Sequence, residues 1–347
     1  MRIALVAPLF ESVPPKMYGG TERVVSYLSE ELVHEGHDVT LFASGDSVTA
    51  ARLISTSRRA LRLGGCVDSL AAHILMLGRV AAMASEFDVI HFHTDYLHFP
   101  LSRLHCLTHV TTLHGRLDLP QLPPLYNEYR DVPLVSISGS QRAPLAFANW
   151  VATVHHGLPD SLYTFRPERG RYLAFLGRVA PEKRVDRAIE IARRVDMELW
   201  IAAKVDRADE AYYESIRPLL RDPRVHYLGE IGEQEKDKFL GEAYALLFPI
   251  DWPEPFGLVM IEAMACGTPV IAFARGSVPE LMSNGETGFV VNDVDEAVAA
   301  LARLETFNRR RCRRVFENRF TAQRMGQNYL AVYRRLITAK ERSCRVA

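Results

Sequence analysis

The sequence predicts an α/β protein built from two doubly wound, parallel-sheet halves, and three observations lead there. Short apolar runs alternate with helical-period stretches along the whole chain. Most runs open into a loop carrying glycine, proline or a polar residue before the next helix, the order expected of a parallel sheet. At 347 residues the chain exceeds what one hydrophobic core usually serves, and periodicity breaks near 158–170, at Pro159, Pro167 and Gly170.

Composition narrows the class further. Apolar content of 48% and charged content of 24% are those of an ordinary soluble globular protein. Net charge is zero, and no basic–aromatic motif points to nucleic acid. The five cysteines (Cys66, Cys106, Cys266, Cys312, Cys344) are odd in number and lack a Cys-x-x-Cys pair, so neither a disulfide framework nor a cysteine-built metal site is expected. Reduced cytoplasm is the expected location. The apolar run at 3–7 is too short for a signal peptide, and no run approaches the roughly 20 apolar residues of a membrane span.

In the first half, Ile3–Ala7 reads as a strand and Thr21–Glu35 as a helix with Val24, Val25, Leu28 and Leu32 on one face, stopped by Gly36. Between them, Gly19-Gly20 would let backbone N–H groups approach an anion closely. No Gly-x-Gly-x-x-Gly or P-loop pattern occurs. His37–Phe42 is a second strand. The polar stretch 44–65, with Arg52, Arg58, Arg59 and Arg62, reads as a solvated surface helix in preference to a lipid-binding segment. Asp88–His93, Val110–Gly115, Leu134–Ser138 and Val151–Gly157 read as four more strands. Six of the twelve histidines lie between 91 and 114, and His91 and His93 share a strand face. An imidazole metal pair there has no further ligand at motif spacing, so no metal is expected.

The second half starts with Tyr172–Gly177 as a strand, then Arg178 and Lys183 in a loop, then a helix over Val185–Arg194. Strands are expected at Glu198–Ala202, Val225–Leu228, Tyr244–Phe248 and Val270–Phe273. Pro249–Pro255 reads as a loop and Phe256–Cys266 as a helix ended by Gly267 and Pro269. Glu254 thus precedes a helix start, where unpaired N–H groups can receive a ligand, and Glu262 falls two turns inside it between the apolar Ile261 and Ala263. Toward the end, Tyr329, Leu330 and Tyr333 fall on one helical face. Residues 309–345 hold 12 basic residues against two acidic ones, Glu317 and Glu341.

The spacing Glu254-Pro-Phe-Gly-Leu-x-x-x-Glu262 resembles the Glu-x7-Glu signature of retaining glycosyltransferases of the GT-B fold, in the glycogen-synthase and sucrose-synthase-like superfamily (glycosyl transferases group 1). Gly177-Arg178-x-x-x-Glu182-Lys183 is similar to that family's diphosphate clamp, and Leu113-His114-Gly115 to its donor-contacting histidine. The resemblance implies two facing Rossmann-like domains with a cleft between them: 1–160 on the acceptor side, 161–325 on the nucleotide-sugar side, and a helix at 326–347 returning to the first domain. It further implies that Glu254 orients the transferred sugar, that the backbone of Phe256, Gly257 and Leu258 cradles sugar and phosphate, and that Glu262 holds the ribose. The base would meet the main chain at Gly229 and Ile231, and Gly19 and Gly20 would face the donor phosphates and the acceptor.

The function so implied is a retaining, metal-independent transfer of a sugar from a UDP- or GDP-sugar to a small-molecule, glycan or lipid-linked acceptor. The nucleotide-sugar is a co-substrate, and no cofactor is expected. Arg178, with its planar fork, and Lys183, with its compact charge, suit a departing diphosphate. A nucleotide-sugar 2-epimerase of the same fold and a non-catalytic nucleotide-sugar sensor are the alternatives. The aromatic C-terminal face favours docking onto protein over membrane contact by the basic run.

Overall fold

The computed structural model describes residues 1–346, with side chains through 342. Ala347, the last residue of the expected C-terminal segment, and the Cys344 side chain lie outside that description. The chain forms two compact units, Met1–Gly157 together with Ala322–Ala347, and Leu158–Thr321.

Unit 1 contains β1 (Arg2–Val6), β2 (Asp38–Phe42), β3 (Arg52–Ile54), β4 (Val89–Phe92), β5 (His109–Thr112), β6 (Leu134–Ser136) and β7 (Trp150–Thr153). They form one parallel sheet in the order β3-β2-β1-β4-β5-β6-β7. Unit 2 contains β8 (Tyr172–Arg178), β9 (Leu199–Lys204), β10 (Val225–Gly229), β11 (Ala243–Phe248), β12 (Val270–Phe273) and β13 (Gly288–Val291). These are also all parallel, in the order β10-β9-β8-β11-β12-β13. Each sheet reverses its winding once, between β1 and β4 and between β8 and β11. In open α/β sheets the crevice outside the carboxyl ends of the strands at such a reversal is where ligands bind. This is the two-domain Rossmann-like architecture expected from the sequence.

Where the structure differs, the cause is at the sheet edges. The 44–65 stretch is not a helix; it forms turns and the short edge strand β3, which covers a sheet flank with a half-exposed Arg-Leu-Ile segment too brief to show a period. The edge strand β13, which begins with Gly288, is not among the strands expected from the sequence. The helix Ser69–Ala82, capped by the Asp68 carboxylate accepting from Ala71 N at 3.0 Å, went unread because half of its apolar residues are solvent-facing, which blurs the buried stripe. Leu70, Ile74 and Leu75 are exposed on it.

The C-terminal helix Ala322–Val346 packs within unit 1. Tyr329 and Tyr333 are fully buried, and their hydroxyls reach Thr112 Oγ1 at 3.0 Å and His91 Nδ1 at 2.7 Å. Two arginines of the basic run before it, Arg309 and Arg313, are drawn into unit 2, while Arg310, Arg311 and Arg314 stay exposed. Arg309 is buried and donates to the carbonyls of Arg166, Gly241 and Ala243 and to Thr268 Oγ1, at 2.6–2.9 Å. Arg313 donates to the carbonyls of Asp160, Tyr163 and Ala265. Phe316 and Phe320 are buried beside them. No helix among the described residues is long and apolar enough to cross a membrane.

Candidate active site

In unit 2 the reversal between β8 and β11 gathers the charged residues. Arg178 is the last residue of β8. It pairs with Glu182, and with Asp206 and Asp209 at 3.5 and 3.3 Å, beyond the end of the neighbouring β9. Lys183 follows in the short turn Pro181–Lys183, and its Nζ donates to Glu254 Oε2. Trp252 Nε1 donates to the same oxygen at 2.8 Å, while the Lys183 ammonium lies 4.9 Å from the Trp252 ring and 5.7 Å from that of Phe248. Backbone bonding ties the two loops together: Asp251 N donates to Glu182 O at 2.9 Å.

Three arginines converge on Asp251. Arg184 and Arg187 approach Asp251 Oδ2 at 3.2 and 2.9 Å, and Arg275 approaches Oδ1 at 3.6 Å. Burial opposes ionisation of this carboxyl, but Arg187, Arg184 and Arg275 outweigh it and hold the carboxyl below its ordinary range. Arg184 itself takes a left-handed backbone conformation, φ 55°, at the start of the Val185–Arg194 helix.

The loop 249–257 is held by the turn at 275–277. Ser277 N donates to Glu254 O at 2.9 Å, and Ser277 Oγ donates to Phe256 O at 2.8 Å. Gly276 (φ 55°) makes this approach feasible, since a Cβ there would lie 2.3 Å from Glu254 N and 2.4 Å from its carbonyl oxygen. The helix begins at Leu258, two residues later than expected, because Gly257 occupies a left-handed N-cap with φ 81°. Phe256 and Gly257 are therefore loop backbone, and no side chain caps the Leu258–Cys266 helix. Within it, Glu262 is 3% exposed, with Oε1 3.2 Å from Lys236 Nζ. Gly229 ends β10 at φ 73°, and Ile231 is half-buried just beyond it.

In unit 1, Gly19 is the N-cap of the helix Gly20–His34, again without a side-chain cap. A Cβ on Gly19 would lie 2.7 Å from Pro15 Cβ and 3.2 Å from Glu11 Cγ, so the loop closes against these two side chains there. His114 stands two residues past β5 and is braced from behind: Gln141 Nε2 donates to Leu113 O at 2.8 Å and to Gly115 O at 2.9 Å. Its Nε2 is 2.8 Å from His93 Nδ1, and its ring stacks on that of His156 with centroids 5.3 Å apart. Burial pushes the His114 pKa down to about 3, so the ring is neutral. His91 is committed elsewhere, with Nδ1 on Tyr333 and Nε2 on Thr112 Oγ1 at 2.7 Å. The clustered His, Asp and Glu ligands among the described residues are Glu31, His34 and Glu35, which include neither His91 nor His93.

The structure thus brings Lys183 and Glu254 into direct contact, sets Arg178 at the neighbouring strand end, and places Glu262 on the helix that follows. Sequence reading missed Asp206, Asp209, Lys236, Trp252 and Gln141 as site neighbours. Only Trp252, two residues before Glu254, carried a local signal.

Comparison with known proteins gives the same picture. Residues 164–319 match the model for "Glycosyl transferases group 1" and residues 18–136 the model for "Glycosyltransferase Family 4". The alpha-maltose-1-phosphate synthase of Mycobacterium tuberculosis is 26% identical over 349 residues, covering 86% of this chain and 87% of that protein. Among solved structures, the sucrose-phosphate synthase of Thermosynechococcus elongatus superposes with a TM-score of 0.79 at 18% identity, covering 98% of this chain and 100% of the other. HepE of Anabaena in complex with UDP-glucose does so with a TM-score of 0.73 at 16% identity, covering 96% and 99%. The second half thus matches the group 1 glycosyl transferases and the first half glycosyltransferase family 4, and the chain carries the GT-B glycosyltransferase fold throughout.

Proposed function

We propose that this glycosyltransferase moves a sugar from a nucleotide-sugar donor to an acceptor hydroxyl with retention of anomeric configuration, without a metal ion or other cofactor. The observation that carries the reading is the contact of Lys183 with Glu254 at the β8–β11 reversal, beside Arg178. The ammonium then serves two ends of one reaction: it orients the carboxylate that receives the sugar hydroxyls, and it stands by for the diphosphate.

When the glycosidic bond breaks, the electron pair goes to the diphosphate oxygen, and Arg178 and Lys183 offset the charge that develops. That oxygen then takes the acceptor proton on the same face of the sugar, so no separate protein base is required. Glu254 orients the sugar and is not a nucleophile in this scheme. Glu262 meets the ribose, Gly229 and Ile231 the base, and the backbone of Phe256, Gly257 and Leu258 the sugar and phosphate. Gly19, Gly20 and His114 contribute from unit 1. Support for a uridine donor is that HepE was crystallised with UDP-glucose. The donor and the acceptor class, whether small-molecule, glycan or lipid-linked, are left to experiment. The cytoplasm is the proposed location, without peripheral membrane attachment by the C-terminal helix.

The test is a panel of UDP- and GDP-sugars with glycan and lipid-linked acceptors, in the presence of EDTA. Product mass and the anomeric coupling in its proton spectrum are the readouts. A product of the donor's own anomeric configuration supports the reading. Inversion would overturn the retaining mechanism, loss of activity in EDTA the metal independence, and conversion of donor alone into its epimer the transferase assignment.

A further inference from the structure

Buried imidazoles with one unpaired nitrogen are uncommon, because an unsatisfied buried polar atom carries its full desolvation cost. His93 is such a group. It is 2% exposed, one residue past β4, and its Nε2 has no hydrogen-bond partner, while its Nδ1 lies 2.8 Å from His114 Nε2. His93 also packs its ring 4.0 Å from that of His91, whose two nitrogens are both bonded elsewhere. Among the described residues, the one hydrogen bond of the His93 ring is therefore the one to His114.

Both rings are neutral, so one nitrogen of the pair must donate and the other accept. If His114 Nε2 donated, His93 would carry its proton on Nε2, an orphaned buried N–H, which is the rarer defect in folded proteins. If His93 Nδ1 donates, Nε2 of His93 keeps only an unshared lone pair. His114 then carries its proton on Nδ1, the nitrogen with no partner among the described residues.

We propose that His93 is a positioning residue: its Nδ1–H donates to His114 Nε2, fixing His114 as the Nδ1–H tautomer and so making its free edge a hydrogen-bond donor toward the bound sugar. The proposal rests on the reading that His114 meets the donor. Such a donor suits a hydroxyl or phosphate oxygen that becomes more negative as the bond breaks. β4 and β5 are consecutive, hydrogen-bonded neighbours in the sheet, which explains why these two strand ends, 21 positions apart, supply the pair.

The first test needs no substrate. Nitrogen-15 spectra of the imidazoles in the intact wild-type protein should show His114 protonated at Nδ1 and unprotonated at Nε2. The opposite tautomer overturns the proposal. The second test uses the donor found active in the panel above. His93→Leu removes the hydrogen bond while keeping an apolar filler, and should lower kcat about tenfold or more with little change in donor KM. His93→Asn, whose amide N–H2 can stand where Nδ1–H does, should restore kcat to within about threefold of wild type. Full activity in His93→Leu alongside loss in His114→Ala overturns the proposal and spares the reading beneath it. Full activity in His114→Ala overturns that reading itself. If His93→Leu fails to fold, the wild-type spectrum and His93→Asn still decide the matter.

Discussion

Lys183 and Glu254 stand 71 positions apart in the chain and meet as a hydrogen-bonded ion pair, with Trp252 donating to the same carboxylate oxygen. The contact makes the cation proposed to face the phosphate and the carboxylate proposed to orient the sugar one unit. Removal of either partner leaves the other in a half-buried place with its charge uncompensated.

Lys183→Ala and Arg178→Ala should each cost about 2–4 kcal/mol of transition-state stabilisation, by analogy with a lost oxyanion donor. Measured kcat/KM should therefore fall about 30-fold or more. Near-wild-type rates in both variants would remove the diphosphate-clamp assignment.

His114→Ala should act mainly on kcat. A neutral donor beside the sugar matters most as charge shifts onto the leaving group, and less in the ground state. Steady-state kinetics decide: a higher donor KM with kcat intact would make His114 a uniform binding contact.

Gly276→Ala should damage activity without touching any charged group. Its Cβ would sit 2.3 Å from Glu254 N, a backbone collision that only a shift of the Glu254 loop can relieve. A misplacement near 1 Å costs about 100-fold in rate. Retained kcat/KM would mean that the loop position does not control catalysis.

Arg309→Met should lower stability by about 3–5 kcal/mol, because carbonyls of Arg166, Gly241 and Ala243 lose their donor at once. Urea unfolding would show this as a reduced midpoint. An unchanged midpoint would return Arg309 to the status of a surface cation.

Acidification should weaken the fold well before its carboxylates titrate. Burial holds His91, His93, His98 and His156 well below the ordinary imidazole range and His114 at about 3, so these five stay neutral when folded. Unfolded, each takes a proton as pH drops below about 6.5. The unfolded state then binds more protons, so stability present above that pH is lost as pH falls, by about 1.4 kcal/mol per pH unit for each group. Burial raises Asp95 to about 6 and also raises Glu22, and these two oppose the trend. Five groups against two leave a net loss, and urea midpoints at pH 7.5 and 5.5 should differ accordingly. Equal midpoints would mean that the imidazoles are charged in the folded protein.

Much of this molecule was legible in the chain itself, for a local reason. A strand such as Ala243–Phe248 is an apolar run, and a helix such as Gly20–His34 repeats its buried face every turn. Glu254 and Glu262 share one loop-helix segment, and Arg178 and Lys183 one strand-loop segment, so each pair could be read as a motif. The edge strands β3 and β13 escaped because a half-exposed edge needs neither length nor strict alternation. What only the tertiary structure decided is which separate segments meet. The reversal in the second sheet brings β8 beside β11, and sequential parallel pairing sets β4 beside β5, and only then do Lys183 touch Glu254 and His93 touch His114. Nothing local in the basic run tells Arg309 and Arg313 from their exposed neighbours, and folding turns these two inward because a guanidinium can be buried wherever several carbonyls converge on it. That convergence comes from chain segments roughly 40 to 150 residues away, and no local pattern encodes it.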